Sequence, residues 1–306
     1  MNWKLRSAWL AAAIALVVVG TACGSTTSGG TASKGNITVA GFKFSEGSVL
    51  AELYGQALQH AGYTVKFDLN LGTREVVAPA IKTGQVDLYI GYAATDLEFY
   101  NAGAGEATGF AQDTANKLNV HLNPLGLEAL TPSPAQDQNA FAVTKATAQK
   151  YNLKTLSDLA AVSNQLVMGA GPECQTRPFC LPGLQRVYGI KFKSFKTLDT
   201  DGPLTRAALA KGDIQVGLVF SSDADLDSLG LVTLDDDKRL QNADNVTPII
   251  RKDKATDDVT TILNAISAKL TTKDLVGLNA QVELQHMDPD AATKAWLQQH
   301  NWSSPA

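Results

Sequence analysis

The chain has 306 residues, 44% hydrophobic and 18% charged, with a formal net charge of −4. That length suits one large domain or two ordinary ones with real apolar cores, and the balance excludes a disordered chain. No basic excess or Lys/Arg stripe is present for nucleic acid, and the 3 cysteines and 4 histidines do not cluster, which points toward binding rather than catalysis.

The chain opens as an export address. Lys4 and Arg6 precede an apolar run from Leu10 to Val19, followed by Gly20-Thr21-Ala22-Cys23. A charged start, a short apolar middle and a small-residue exit make a secretory signal over residues 1–22. The apolar run is too short to span a bilayer as a helix. Cys23, directly after the small residues, resembles the lipidated cysteine of a bacterial lipobox, although Gly20 stands where an aliphatic residue is usual. Ordinary secretion with Cys23 incidental is the alternative. Residues 23–35, rich in Ser, Thr and Gly, read as a flexible tether. Loss of residues 1–22 removes Lys4 and Arg6 and no acid, taking the net charge from −4 to −6. Such an acidic body stays soluble above an anionic membrane.

Cys174 and Cys180 remain as a pair. In an exported chain they are expected to form a disulfide that staples the loop from Pro172 to Pro182, worth roughly 2 kcal/mol on the chain-entropy account. A thiol metal site or redox pair is the alternative, but Cys-x-x-Cys spacing and a nearby His are both missing.

Taken in order, Ile37–Ala40 is a short strand. Ser45 is a candidate N-cap for a helix that buries Val49, Leu50, Leu53, Ala57 and Leu58, spaced by three and four residues. Gly62 ends that helix, and Val65, Phe67 and Leu69 alternate as the next strand. Thr73 opens a second helix, bent or shortened near Pro79 and stopped at Gly84, and Val86–Tyr92 is a strand. Leu153–Leu159 reads as a turn into a helix, and Leu231–Leu234 as a strand followed by a solvated Asp235-Asp236-Asp237 turn. Thr256–Leu270 and Thr272–His286 are amphipathic helices, and Asp288-Pro289 starts a last one. Strand and helix alternating at these lengths imply mostly parallel sheets flanked by helices.

One internal echo stands out. Ala80–Leu88 matches Ala208–Val216, and without a gap Tyr92-Ala93-Ala94 falls on Phe220-Ser221-Ser222. Each copy is a helix, a Gly stop, a buried strand, then an aromatic and two small residues. Ligands in open α/β sheets sit outside such carboxyl ends, so two lobes could present them to one cleft. The pattern is simple enough for chance to be the alternative.

No Gly-x-Ser-x-Gly elbow, His-Glu-x-x-His or phosphate loop is present. His60, His121, His286 and His300 read as surface residues, and the acidic run lacks calcium-loop spacing. No catalytic residue, metal or cofactor is expected.

The stretches Ile37–Glu46, Leu71–Asp96, Asp137–Val143 and Arg177–Gly189 resemble the osmoprotectant substrate-binding proteins of ABC importers, those for glycine betaine, choline and relatives. Phe44-Ser45-Glu46, the run Gly84–Tyr89, Tyr92-Ala93-Ala94-Thr95 and Leu181-Pro182-Gly183-Leu184 carry the likeness most specifically. It covers most of residues 36–255 and weakens in the terminal helices. The resemblance implies an α/β, two-lobed type II periplasmic-binding-protein fold that closes like a hinged trap, with no catalytic activity.

It also implies a pocket. A quaternary ammonium is held over aromatic faces, each worth roughly 0.5–2 kcal/mol, and a carboxylate takes charged donors such as an arginine fork. By resemblance, Tyr92 is one cage tyrosine, Thr95 a hydroxyl contact and Arg177 the carboxylate arginine. Asn139, Phe220 and a position near Asp244 fall where the family carries other tyrosines. Phe42 falls on its lysine, with Lys43 one residue along. Asp244 could pair with a cation. Equally, Phe42, Tyr92 and Phe220 with Asn139 and Arg177 could clamp a planar phenolic ligand such as a polyphenol.

The expectation is therefore an exported, lipid-anchored, monomeric binding protein at the outer face of the cytoplasmic membrane. It would deliver a small osmoprotectant to an ABC permease and its ATPase, touching membrane only through the anchor and no nucleic acid. Residues 36–137 and 246–306 form lobe one, and 138–245 lobe two. The rivals are an exported enzyme on this fold, for which Asp96, Asp223 and Asp244 are the candidate acids, and a ligand sensor.

Overall fold

The computed structural model describes residues 33–302. The expected signal segment, Cys23 and nearly all of the expected tether lie outside the described residues.

Among the described residues, ten strands make two five-stranded sheets. The first contains β1 (Asn36–Phe42), β2 (Thr64–Gly72), β3 (Leu88–Tyr92), β4 (Leu127–Ala129) and β10 (Val246–Arg251), in the order β2-β1-β3-β10-β4. The second contains β5 (Asn139–Thr144), β6 (Val167–Ala170), β7 (Ser194–Thr197), β8 (Val216–Phe220) and β9 (Leu231–Thr233), in the order β7-β6-β8-β5-β9. The two orders are the same arrangement built twice. In each sheet the helix-connected strands pair parallel, and one strand that enters after a crossing between sheets pairs antiparallel on both sides. The sheets are thus mixed. A helical crossover returns a strand parallel, whereas β5 and β10 arrive from the other sheet and run the opposite way.

The segments that cross between the sheets lie side by side, joined by an antiparallel bridge between Gln136 and Asn245. Asn245 Nδ2 donates to Ser133 O at 2.7 Å, and Asp137 N donates to Asp244 O at 3.1 Å. The fold is two-lobed, with Asp137 and Asp244 on the paired connections.

The helix α1 (Ser45–His60) is buried from Glu46 to Leu58 because it lies between the first sheet and the C-terminal helices Asp257–Lys269, Thr272–Glu283 and Pro289–Gln299, sharing one core with them. Its N-cap is Phe44 rather than Ser45, whose buried hydroxyl has no partner. α2 (Arg74–Thr83) starts after Thr73 and contains Pro79. It stops at Gly84, whose φ of 76° favours glycine. Gly212 repeats this stop at the same φ after the helix Pro203–Lys211. The echo in the sequence is therefore a repeat in space, since β3 and β8 hold equivalent central positions and end on Tyr92 and Phe220. The copies diverge afterwards: α3 (Ala93–Tyr100) follows Tyr92 at once, whereas turns follow Phe220.

Other boundaries move by a few residues. The helix after Thr256 starts at Asp257 with the Thr256 side chain capping Val259 N. The next ends at Glu283 rather than His286. The acidic turn is less solvated than expected, because Asp236 is half-buried and accepts from Tyr188 Oη and two backbone amides.

Candidate functional site

The strand ends converge on one cavity. Phe42 is the last residue of β1, Tyr92 of β3 and Phe220 of β8, and Asn139 is the first of β5. These four, with Lys43, Thr95, Arg177 and Asp244, all line it, so every expected ligand residue reaches the same space. Phe44, Gly72, Thr73, Arg74, Asp137 and Thr200 complete the lining. The cavity holds about 480 Å³ of atom-free space when the open solvent at its mouth is included.

One wall is aromatic. Phe42 stacks on Phe44 at 5.8 Å between centroids, and Phe44 meets Phe220 at 5.2 Å. Phe42 also carries the guanidinium of Arg74, whose Cζ lies 5.2 Å from the ring centroid. Arg74 Nε donates to Asp96 Oδ1 at 2.6 Å. Burial opposes the charge on Arg74, and Asp96 outweighs it, holding the arginine above its ordinary pKa. Asp96 also accepts from Tyr89 Oη at 3.0 Å and from Tyr92 N at 2.8 Å. An acid candidate for catalysis is thus a bracket that ties α2 and α3 to the end of β3. Asp223 does the same in the second sheet, taking Phe220 N at 2.9 Å and pairing with Arg206 at 3.2 Å.

The polar groups fall into three sets. The Tyr92 hydroxyl donates to Glu46 Oε1 at 2.5 Å, and Ser222 Oγ and Asn279 Nδ2 donate to Glu46 Oε2, each at 2.6 Å. Burial raises the Glu46 carboxyl, these hydrogen bonds offsetting part of it. Burial, with Glu46 and Asp223 close by, lifts Asp137 well above the carboxylate range. Asp244 accepts from Thr95 N at 2.9 Å and from the Thr95 hydroxyl. Burial pushes Asp244 up to about 6, against the pull of Thr95 and Arg74.

Arg177 lines the cavity and reaches across to α2. Its Nε and Nη2 donate to Glu75 Oε1 and Oε2 at 3.2 and 3.0 Å. Glu75 is held at about 2, burial being overcome by the Arg177 bond and charge. The Cys174–Cys180 disulfide is formed, with 5.1 Å between Cα atoms, and both cysteines are buried. The loop it closes presents Arg177, whose carbonyl accepts from Cys180 N at 3.0 Å. Asn139 Nδ2 donates to Phe179 O at 3.3 Å and so ties β5 to that loop. Lys43 is exposed at the rim.

Sequence reasoning missed Arg74, Asp137 and Thr200 as lining residues, and Glu46 as the acid beneath Tyr92. A charged residue opening a helix reads as solvated, and only the pairing with Asp96 shows that Arg74 is buried.

Two lobes of the same strand order, joined by paired crossings and enclosing a cavity at their strand ends, define a type II periplasmic binding protein. The family model described as the substrate binding domain of the ABC-type glycine betaine transport system matches residues 35–299, and the chain belongs to that family. Its members are extracytoplasmic substrate-binding components of importers. The glycine betaine-binding protein YehZ of Escherichia coli (strain K12) is 27% identical over 271 residues, 84% of this chain and 88% of the relative. The carnitine transport binding protein OpuCC of Listeria monocytogenes serotype 1/2a (strain 10403S) is 25% identical over 284 residues, 89% of each chain. A crystal structure of a glycine betaine/carnitine/choline ABC transporter protein shares the fold, with a TM-score of 0.67 at 21% identity over 87% of this chain and 98% of that one.

Proposed function

We propose that this protein captures a small osmoprotectant of the glycine betaine class between its lobes and delivers it to an ABC permease. The supporting observation is that strand ends of both sheets supply the lining of one cavity, with aromatic faces, cationic donors and carboxylates on the same walls. Residues 36–137 with 246–306 act as one lobe and 138–245 as the other, and the paired connections at Gln136 and Asn245 act as the hinge. Tyr92 and Phe220 offer faces to the trimethylammonium group and Asp244 its counter-charge, Phe42 backs the aromatic wall, Thr95, Asn139 and Lys43 are polar contacts, and Arg177 spans to Glu75 beside the ligand. Ligand in the cleft favours the closed form, and the closed form is what the permease reads.

The protein acts as a monomer held by a lipid on Cys23, a reading supported by the small-residue run before that cysteine. It binds its ligand without altering it. Equilibrium dialysis against labelled glycine betaine, carnitine and choline, followed by mass analysis, tests this: bound ligand is recovered intact. Conversion to product would make the protein an enzyme. Retention of none of the three, with retention of a planar polyphenol, would replace the ligand class.

A further inference from the structure

We propose that Arg74 is the carboxylate anchor of the cavity, so that the site takes ligands bearing a carboxylate in preference to ligands bearing a cation alone. The inference rests on the cleft being the ligand site and names the ligand feature that site selects.

Arg74 opens α2 and is 4% exposed. A guanidinium has five N–H donors, and the hydrogen bond of Arg74 within the protein is the one from Nε to Asp96. Among the described residues Nη1 and Nη2 have no hydrogen-bond partner. Both the central cavity and the adjoining one, which extends toward Phe99 and Pro178, are lined by this side chain. Its orientation is fixed from two sides, by Asp96 on Nε and by the face of Phe42. Asp96 is itself held by Tyr89 and Tyr92, so the pair is rigid. A buried, oriented fork with unused donors is matched by a carboxylate, which accepts two parallel bonds.

Arg177, the arginine expected from resemblance, has its Nε and Nη2 on Glu75. Lys43 is exposed. Arg74 therefore has the better claim to a ligand carboxylate. It also sets a penalty: a guanidinium already lies on Phe42, so a second cation with no acceptor of its own meets like charge there. A zwitterion places its carboxylate on Arg74 and its cation toward Asp244.

Glycine betaine and choline make a matched pair, sharing the trimethylammonium group and differing in carboxylate against hydroxyl. Calorimetry on the intact protein is expected to favour glycine betaine by roughly 10- to 100-fold. In Arg74→Met/Asp96→Asn, which removes both members of the pair and leaves no unpaired buried charge, the ratio falls to about one. Arg177→Met changes both affinities by the same factor. Equal affinity in the native protein, a ratio kept by the double variant, or one lost only in Arg177→Met would overturn the assignment. If neither compound binds, the ligand-class reading fails, and acetate decides Arg74 separately. Its titration shifts the Arg74 Nε–H nuclear resonance if Arg74 is an anchor, and an unmoved resonance removes that role.

Discussion

Ser222 donates to Glu46 at 2.6 Å, joining the first turn of α1 on the first sheet to the segment after β8 in the second. Glu46 also collects Tyr92 and Asn279, so one buried carboxyl gathers three donors at the point where the lobes touch. Glu46→Ala would leave the Tyr92 and Ser222 hydroxyls without an acceptor and Asn279 Nδ2 with only Ser222 O at 3.2 Å. Each stranded buried donor costs about 1–3 kcal/mol, and relaxation shares part of that, so a loss of about 2–4 kcal/mol is expected in urea unfolding. A change below about 0.5 kcal/mol would mean that water replaces the carboxyl and the contact does not hold the lobes.

If Asp244 faces the ligand's cation as proposed, cation binding is expected to depend on pH. Its folded pKa is raised from 3.8 to about 6, so its contribution to stability is present below its ordinary pKa and is lost as pH rises through about 6. A trimethylammonium ligand favours the ionised form. Affinity for glycine betaine is therefore expected to climb between about pH 5 and 7. Asp244→Asn should bind more weakly and with a flat profile over that window. A native profile equally flat would place the ligand's cation elsewhere.

The Glu75–Arg177 pair has the opposite sign. Glu75 is lowered to about 2, so the pair contributes fully above the ordinary carboxylate pKa and is lost as pH falls from there through about 2. Glu75 is 40% exposed in its side chain, which limits the pair to about 1 kcal/mol. Glu75→Gln should cost no more than that in denaturation and should speed ligand release in stopped-flow measurements. Unchanged release would show that the pair does not gate the mouth.

The Cys174–Cys180 loop couples folding to the site, because it carries Arg177 and receives the Asn139 hydrogen bond through Phe179. Replacing both cysteines by serine should cost about 2 kcal/mol in global stability and lower ligand affinity as well. A stability loss with native affinity would confine the disulfide to folding.

Much of this fold is legible in the sequence. The Gly84 and Gly212 stops and the aromatics at Tyr92 and Phe220 mark a repeat because a helix stop and a buried strand leave local signatures. The mixed pairing was not legible, since direction in β5 and β10 depends on which sheet the chain has left. At the site, residues at strand ends could be read, because the strands themselves could. Arg74 and Glu46 could not. Both are charged residues in the first turn of a helix, a pattern that ordinarily means solvent, and their burial is set by Asp96, Tyr92, Asn279 and Ser222, which are distant in sequence.

The most direct measurement is a crystal structure grown with saturating glycine betaine. The ligand should lie between Phe42, Tyr92 and Phe220, its carboxylate within hydrogen-bond reach of Arg74 and its methyl groups toward the aromatic wall. An empty cavity, or betaine bound outside the cleft, would contradict the account.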